Sequence, residues 1–336
     1  MRAYEINEFG IENLSITERK MPVPQANEVV VKFHAASLNF RDLMMVKGVY
    51  DPEVRRPLVP FSDGAGEVVE IGSEVTRWKV GDRVMPAFMQ DWIDGAIDYR
   101  KAKTALGGDL DGCLREYGAF REAGLVPIPG HLTYEEAATL PCAGVTAWNA
   151  LRVSGKLAKG DKVLLLGTGG VSIFALQFAK NVGAETIITS SSDDKLEMAG
   201  TLGATHTINY KTNPDWDEEV LELTGKRGVD HIVEVGGAGT LQKSINCVRM
   251  GGHIAVIGVL AGKGGFDPIS ILMKAVRLQG IFVGSRVMFE DMAEMIRNEY
   301  IKPVVTKVFE FDDAREALSM MESGDHFGKI VVKVGG

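Results

Sequence analysis

The chain has 336 residues, 45% apolar and 24% charged, with a net charge of −8. That length allows two domains with separate cores. With no long basic run, the composition speaks against nucleic acid and anionic membranes as partners, since both are bound mainly through clustered Lys and Arg.

Cys113, Cys142 and Cys247 are far apart and odd in number, which argues against a disulfide framework and fits a reducing compartment. The opening "MRAYEINEFG" lacks the apolar stretch of a signal peptide, so a cytoplasmic location is expected.

Residues 1 to about 130 read as β-rich and loop-rich. "EVVVKFHAAS" alternates, with Val29, Val31 and Phe33 on one face, and "GEVVEIGSEVTRWKVGDRV" reads as short strands joined by glycine turns. From about residue 143 the texture changes. "KVLLLG" is a continuous apolar run, as in a strand buried on both faces. Behind it Val171, Phe174, Ala175, Phe178, Ala179 and Val182 recur at the spacing of one helix face. The window Val163 to Val182 is apolar enough to suggest a membrane span, but its three glycines, Gln177, Lys180 and changing period favour a soluble reading.

"TIITS", "HTINY", "VDHIVEVGG", "GGHIAVIGV" and "LQGIFVGS" follow as strands, the first four separated by helical stretches. Strands alternating with helices predict a parallel sheet with right-handed crossovers. Near the end, Asp312 is expected to cap a helix carrying Ala314, Ala317, Leu318 and Met321, closed by Gly324, with "KIVVKV" as a last strand.

Gly167-Thr168-Gly169-Gly170-Val171-Ser172 lies between the buried strand and the periodic helix. Gly167 and Gly169 permit a tight turn and let the backbone approach a pyrophosphate at the helix start. Ser172 replaces the third glycine of this pattern, and no Gly-Lys-Ser/Thr is present, which excludes a P-loop. A dinucleotide site is expected. The second strand ends in Ser190-Ser191-Ser192, followed by Lys195, where a carboxylate would be needed for a ribose 2′-hydroxyl. Hydroxyls and an ammonium suit a 2′-phosphate, so NADPH is favoured over NADH. The alternative is that Ser192 or Asp193 only caps the next helix and Lys195 faces solvent.

The β-rich start, "GTGGVS", "LPCAGVTAWNAL" and "GDRV" together resemble the medium-chain dehydrogenase/reductase superfamily, most closely its zinc-independent, quinone-oxidoreductase-like branch. The resemblance covers almost the whole chain. It implies an α/β fold: a GroES-like β-rich catalytic domain over 1–142, completed by 284–336, and a Rossmann doubly wound parallel-sheet domain over 143–283, with a cleft between them. In zinc-dependent relatives the catalytic metal is held by a Cys, a His beside a Glu, and a later Cys. These positions fall here on Asn39, Ser62, Asp63 and Cys142, so only the last ligand is retained. The structural zinc lobe needs four cysteines, and Gln90 to Arg115 holds only Cys113. No zinc is expected, and Cys142 reads as a packed core thiol.

The resemblance also assigns roles. Asn39 would hold the nicotinamide ribose or a substrate oxygen, the alternative being a turn-forming Asn before a helix. Tyr50 matches a proton donor of related enoyl reductases, its alternative being packing at the rim. A tyrosine of some quinone reductases falls on Met44, which departs from that pattern. Arg41 and Asp42 read as a local structural pair, and His34 as structural. Thr146 would lie beside the nicotinamide, Tyr210 beside the 2′-phosphate, and Gly258 and Val259 along the cofactor's path. Phe282 and Val283, in a segment running to Ser285, would back the nicotinamide, and Lys329 would reach the pyrophosphate.

Without a Lewis acid, an unactivated carbonyl is hard to polarise, whereas a conjugated acceptor delocalises the incoming charge. The expected activity is NADPH-dependent hydride transfer to a quinone or α,β-unsaturated carbonyl. The alternatives are a metal-free alcohol dehydrogenase or ketone/aldehyde reductase, and a non-catalytic, crystallin-like NADPH-binding protein. A homodimer is expected from the resemblance and from the apolar edge "LQGIFVG".

Overall fold

A computed structural model describes residues 1–258 and 265–335. The chain resolves into two compact units, Met1–Val145 with Gly284–Gly336, and Thr146–Val283. In chain order the strands of the first unit are β1 (Arg2–Glu5), β2 (Ser15–Glu18), β3 (Glu28–Ser37), β4 (Asp63–Ile71), β5 (Arg83–Pro86), β6 (Tyr117–Arg121) and β7 (Leu125–Pro127). The second unit carries β8 (Lys162–Leu165), β9 (Glu185–Ser190), β10 (His206–Asn209), β11 (Val229–Glu234), β12 (Val248–Val256) and β13 (Arg277–Gly280). The chain then returns to the first unit with β14 (Val305–Phe309) and β15 (Lys329–Lys333).

In the first unit β1 and β2 form a hairpin sheet, and the larger sheet runs β14-β15-β3-β4-β5-β7 with β6 paired to β3. The long β3 is the organising strand. Its β-branched residues Val29, Val30 and Val31 and its Phe33 are fully or almost fully buried, as expected of a strand with partners on both sides. β15 pairs antiparallel to β3 through Val331–Ser37 and Val332–Ala36, while β4 pairs antiparallel through Ser37–Asp63 and Ala36–Gly64. Strand ends from three distant parts of the sequence therefore meet at Ser37. Leu38 continues the ladder by donating its N–H to the Ile330 carbonyl (3.1 Å), which sets Lys329 opposite the start of the helix Phe40–Val46.

The second unit is a parallel sheet of order β10-β9-β8-β11-β12-β13. Its two halves diverge from the neighbouring β8 and β11, and this is where ligands bind in open α/β sheets, beyond the carboxyl ends of the strands. The sheet is buried because helices cover it. The helix Gly170–Val182 packs Phe174, Ala175, Phe178 and Ala179 inward and stops at Gly183, whose φ of 80° no side-chain-bearing residue adopts easily. Among the described residues no helix is long and apolar enough to cross a membrane; the apolar window Val163–Val182 divides into a strand, a turn and this helix.

Two local expectations are corrected. β13 is Arg277–Gly280 rather than the apolar "LQGIFVG": Val283 turns to φ 54°, outside the strand region, and only Ile281 keeps a ladder bond, to the Val256 carbonyl. Asp312 does not cap the last helix. It sits in a 3₁₀ turn (Phe311–Asp313) and pairs with Arg2, leaving Asp313 at the cap of Ala314–Ser323.

Candidate active site

The glycine turn of the second unit follows β8 and opens the helix Gly170–Val182. Gly167 has φ 71°, the left-handed conformation that favours glycine. A Cβ placed on Gly167 or Gly169 would meet no protein atom within 4 Å, so the turn borders open space rather than neighbouring backbone. Gly169 occupies the N-cap with no side-chain capping bond, and the first N–H groups of any helix lack intrahelical acceptors. Together these features fit a pyrophosphate. Ser172, at the third glycine's position, donates its hydroxyl to the Leu166 carbonyl (2.7 Å) and ties the helix back to the strand.

The ends of β8 to β10 converge beside this turn. The Gly167 N–H donates to Thr189 Oγ1 (3.3 Å), the Thr168 and Ser190 hydroxyls lie 3.4 Å apart, and the Tyr210 N–H donates to the Ser190 carbonyl (3.0 Å). Ser190 is buried, Ser191 and Lys195 are partly exposed, and Tyr210 is exposed. Ser192 does cap the following helix, its hydroxyl accepting from the Lys195 N–H (3.4 Å), while Asp193 accepts from Asn209 Nδ2 (2.7 Å). The structure thus brings Gly167, Gly169, Gly170, Val171, Ser190 and Tyr210 to one edge of the sheet.

At the neighbouring strand ends, Gly258 has a packing reason: a Cβ there would stand 1.5 Å from the Val235 carbonyl oxygen. Val259 lies outside the described residues. Thr146 is buried and Phe282 is exposed. The Val283 carbonyl accepts from Asn149 Nδ2 (2.7 Å), a residue the sequence reading passed over although it stands in "TAWNAL". Also passed over is Glu234, fully buried at the end of β11. One of its oxygens receives the Gly236 and Gly237 N–H groups (2.9 and 3.0 Å) and the Thr240 hydroxyl (2.6 Å), and the other receives the Ser244 hydroxyl. A carboxylate directly before a Val-Gly-Gly turn was the available signal.

In the first unit the meeting of β15, β3 and β4 builds a buried polar cluster. Lys329 Nζ donates to the Leu38 carbonyl and to Asn39 Oδ1 (2.6 Å). Asn39 Nδ2 donates to Ser62 Oγ (3.3 Å), and Ser62 Oγ donates to Asp63 Oδ1 (2.7 Å). The other Asp63 oxygen receives the Cys142 N–H (3.1 Å). Asp42 accepts the Asn39 N–H (2.8 Å) and the Ser62 N–H (3.2 Å). Ser62, Asp63 and Asp42 are fully buried, and Lys329 is 3% exposed.

The charges perturb one another. Burial raises the Asp63 carboxyl above the usual carboxylate range, opposed by the Lys329 ammonium and by hydrogen bonds from Asn39, Ser62 and Cys142. Burial raises Asp42 to about 6, opposed mainly by Arg41. Burial lowers Lys329, while Asp63, Cys142 and Asp42 resist that shift. The Cys142 thiol is raised by burial and by Asp63, although the residue keeps partial exposure and is not a fully enclosed core thiol.

Asn39 therefore stands at the cap position of Phe40–Val46 while its carboxamide bridges Lys329 and Ser62. Asp42 does approach Arg41 (3.6 Å), but its hydrogen bonds tie it into the Asn39 cluster. Lys329, expected at a pyrophosphate, has other partners here. Tyr50 lies on the exposed turn after the helix, 43% exposed, with the Arg41 guanidinium 5.4 Å from its ring centre, and is not part of the Asn39 cluster. His34 stacks on Tyr134 (4.2 Å), a structural contact.

A carboxamide and a hydroxyl at two of the ligand positions, with one carboxylate and one thiol beside them, do not fit zinc. The ion takes imidazole, thiolate and carboxylate ligands, and here an ammonium already sits on the Asn39 oxygen. Among the described residues no group of three or more His, Cys, Asp or Glu side chains could hold a metal.

Comparison with known proteins supplies the family. Residues 25–130 match the alcohol dehydrogenase GroES-like domain, and residues 170–298 match the zinc-binding dehydrogenase family. The chain is 45% identical to the zinc-type alcohol dehydrogenase-like protein C1773.06c of Schizosaccharomyces pombe, over 97% of this chain and 96% of that one. A solved NAD-dependent alcohol dehydrogenase is 33% identical with a TM-score of 0.90, covering all of both chains. The quinone oxidoreductase of Coxiella burnetii is 26% identical with a TM-score of 0.80, covering 100% of this chain and 99% of that one. With its parallel dinucleotide sheet and GroES-like β-rich unit, the chain belongs to the medium-chain dehydrogenase/reductase superfamily and is an NAD(P)H-dependent oxidoreductase.

Proposed function

We propose that this chain is a zinc-independent reductase that uses NADPH to reduce quinones or α,β-unsaturated carbonyls. The observation that carries the reading is the polar cluster in which Asn39 and Ser62, at two of the positions that the family resemblance assigns to zinc ligands, are hydrogen-bonded to Lys329 and Asp63. A site without a Lewis acid favours acceptors that spread incoming negative charge by conjugation.

When bound, the dinucleotide would supply a hydride equivalent to the conjugated acceptor, and the site would supply one proton. Gly167, Gly169, Gly170 and Val171 hold the pyrophosphate at the helix N-terminus. Ser190, Ser191, Lys195 and Tyr210 surround the 2′-phosphate, and the partial exposure of Ser191, Lys195 and Tyr210 supports that role. Thr146, Phe282 and Val283 line the nicotinamide end, with Val283 steadied by Asn149. Asn39 orients the nicotinamide ribose or the acceptor oxygen, and Tyr50 donates a hydrogen bond or proton to that oxygen.

The names of several relatives favour a second reading, a metal-free alcohol dehydrogenase or ketone/aldehyde reductase. One solved relative is described as NAD-dependent, which makes NADH the competing cofactor.

NADPH consumption measured over quinones, enones, aldehydes and ketones separates these readings. The expected result is turnover on conjugated acceptors, falling on the order of 10²-fold in Tyr50→Phe, the scale of losing one hydrogen-bond donor to a developing oxyanion. The variant keeps the ring and removes only the hydroxyl. Unchanged turnover with normal NADPH binding removes Tyr50 from the chemistry, and turnover confined to simple ketones or aldehydes supports the second reading.

A further inference from the structure

We propose that Lys329 is a positioning residue whose ammonium fixes the orientation of the Asn39 carboxamide, forming with Asp63 a built-in cation–anion couple across the first unit's polar cluster. The two residues at the head of this arrangement, Lys329 and Asn39, are 290 positions apart and meet only because β15 pairs with β3.

The argument begins with the carboxamide. Its oxygen and nitrogen ends are nearly the same size, and the Ser62 hydroxyl can donate or accept, so Ser62 leaves the orientation of Asn39 open. The two charged groups, the acceptor Asp63 at the nitrogen end and Lys329 at the oxygen end, decide it together. An ammonium has donors and no acceptor. Placed 2.6 Å from one end of Asn39, it requires the oxygen there. The nitrogen must then face Ser62, and Ser62, having accepted, turns its own proton to Asp63. Every bond from Lys329 to Asp63 thus runs in one direction, with a cation at the head and a carboxylate at the tail. Bonds aligned in this way polarise one another in a low-dielectric interior.

The burial supports a specific role. A lysine 3% exposed at a strand end is costly, and an apolar side chain of similar length would fill the space at less cost. The ammonium is placed where it meets the Leu38 carbonyl, the Asn39 oxygen and the field of Asp63 and Asp42. A carboxamide held one way presents the same donor and acceptor to its ligand in every turnover, and preorganisation of this kind favours hydride transfer over repeated reorientation.

The inference rests on the proposed function only for its kinetic readout. Lys329→Met alone would strand a buried Asp63 carboxylate, so the test uses Lys329→Met with Asp63→Asn, which removes both charges. Lys329→Arg is the rescue, since a guanidinium keeps the positive charge opposite Asp63 and has donors but no acceptor for Asn39. The side-chain N–H signals of Asn39 in a ¹H–¹⁵N spectrum, identified by their loss in Asn39→Ala, report orientation without any substrate.

In the double variant we expect a melting temperature close to wild type. Its Asn39 protons should exchange much faster, and its turnover should fall roughly tenfold to a hundredfold with KM for NADPH changed less than about threefold. Lys329→Arg should recover most of the protection and turnover. Wild-type turnover and unchanged Asn39 exchange in the double variant would overturn the proposal, because the couple would then be structural only. Loss of Asn39 protection in a folded Lys329→Arg would also overturn it. A wild type that turns over no conjugated acceptor refutes the functional reading, and the exchange contrast still decides the role of Lys329.

Discussion

Lys195 carries the proposed preference for NADPH at the scale of a single residue. A lysine shortly after a strand ending in serines, where a carboxylate would serve NADH, points to a 2′-phosphate on charge alone. In the fold Lys195 lies in the first turn of the helix capped by Ser192 and remains partly exposed. Lys195→Ala should weaken NADPH binding by about 1–2 kcal/mol, the scale of a partly exposed charge-assisted hydrogen bond, and leave NADH binding nearly unchanged. Fluorescence titration of both nucleotides checks this; an equal loss for both would separate Lys195 from the 2′-phosphate. Gly167 was legible in the same way, because a tight turn between strand and helix needs its positive φ. The partnership of Asn39 with Lys329 was not legible. Neither residue's neighbourhood carries a periodic signal, and their contact depends on a pairing between strands at opposite ends of the chain.

At the scale of elements, period and composition were enough for the second unit. Its inner strands β8, β9 and β11 are buried along nearly their whole length, and β8 reads as a continuous apolar run. The edge was less legible. β13 is exposed along its whole length and ends at Gly280, because an edge strand is held from one side only and burial cannot enforce an apolar pattern on it. Beside it the helix Pro268–Lys274 exposes Ile269, Leu272 and Met273 at 62%, 76% and 69%. An open sheet edge with neighbouring apolar side chains suits a second copy of this chain, since a twofold contact satisfies both edges at once. Light scattering at micromolar concentration should give a dimer mass, and Leu272→Glu should shift it toward the monomer. A monomer in the wild type would refute this.

At the scale of the whole molecule, the two units differ in their response to acid. In the second, burial lowers His253 from 6.5 to about 4. A histidine with a depressed folded pKa contributes full stability above its unfolded value and loses it as the pH falls from about 6.5 toward 4, at most roughly 3 kcal/mol here. His231, paired in register with His253 and bonded to Asp161, is lowered by burial as well and acts in the same direction. In the first unit Asp42 is raised from 3.8 to about 6, so its contribution is full below 3.8 and lost as the pH rises through 6. Acidification therefore relieves a buried charge in one unit while straining the other, although half-buried His34, itself lowered by burial, pulls the first unit the opposite way. Hydrogen exchange at pH 7 and pH 5 should show peptides spanning β11 and β12 losing protection on acidification before those spanning β3 and β4. The reverse order would contradict this.

The central claim, a proposal, is that hydride transfer proceeds without zinc because Asn39 and Ser62 stand at ligand positions of zinc-dependent relatives and are engaged by Lys329 and Asp63. The most direct measurement is the rate of NADPH oxidation with a conjugated acceptor before and after exhaustive chelation, with metal content determined on the same samples. The account predicts equal rates and zinc far below one per chain throughout; loss of activity on chelation, restored by added zinc, would contradict it.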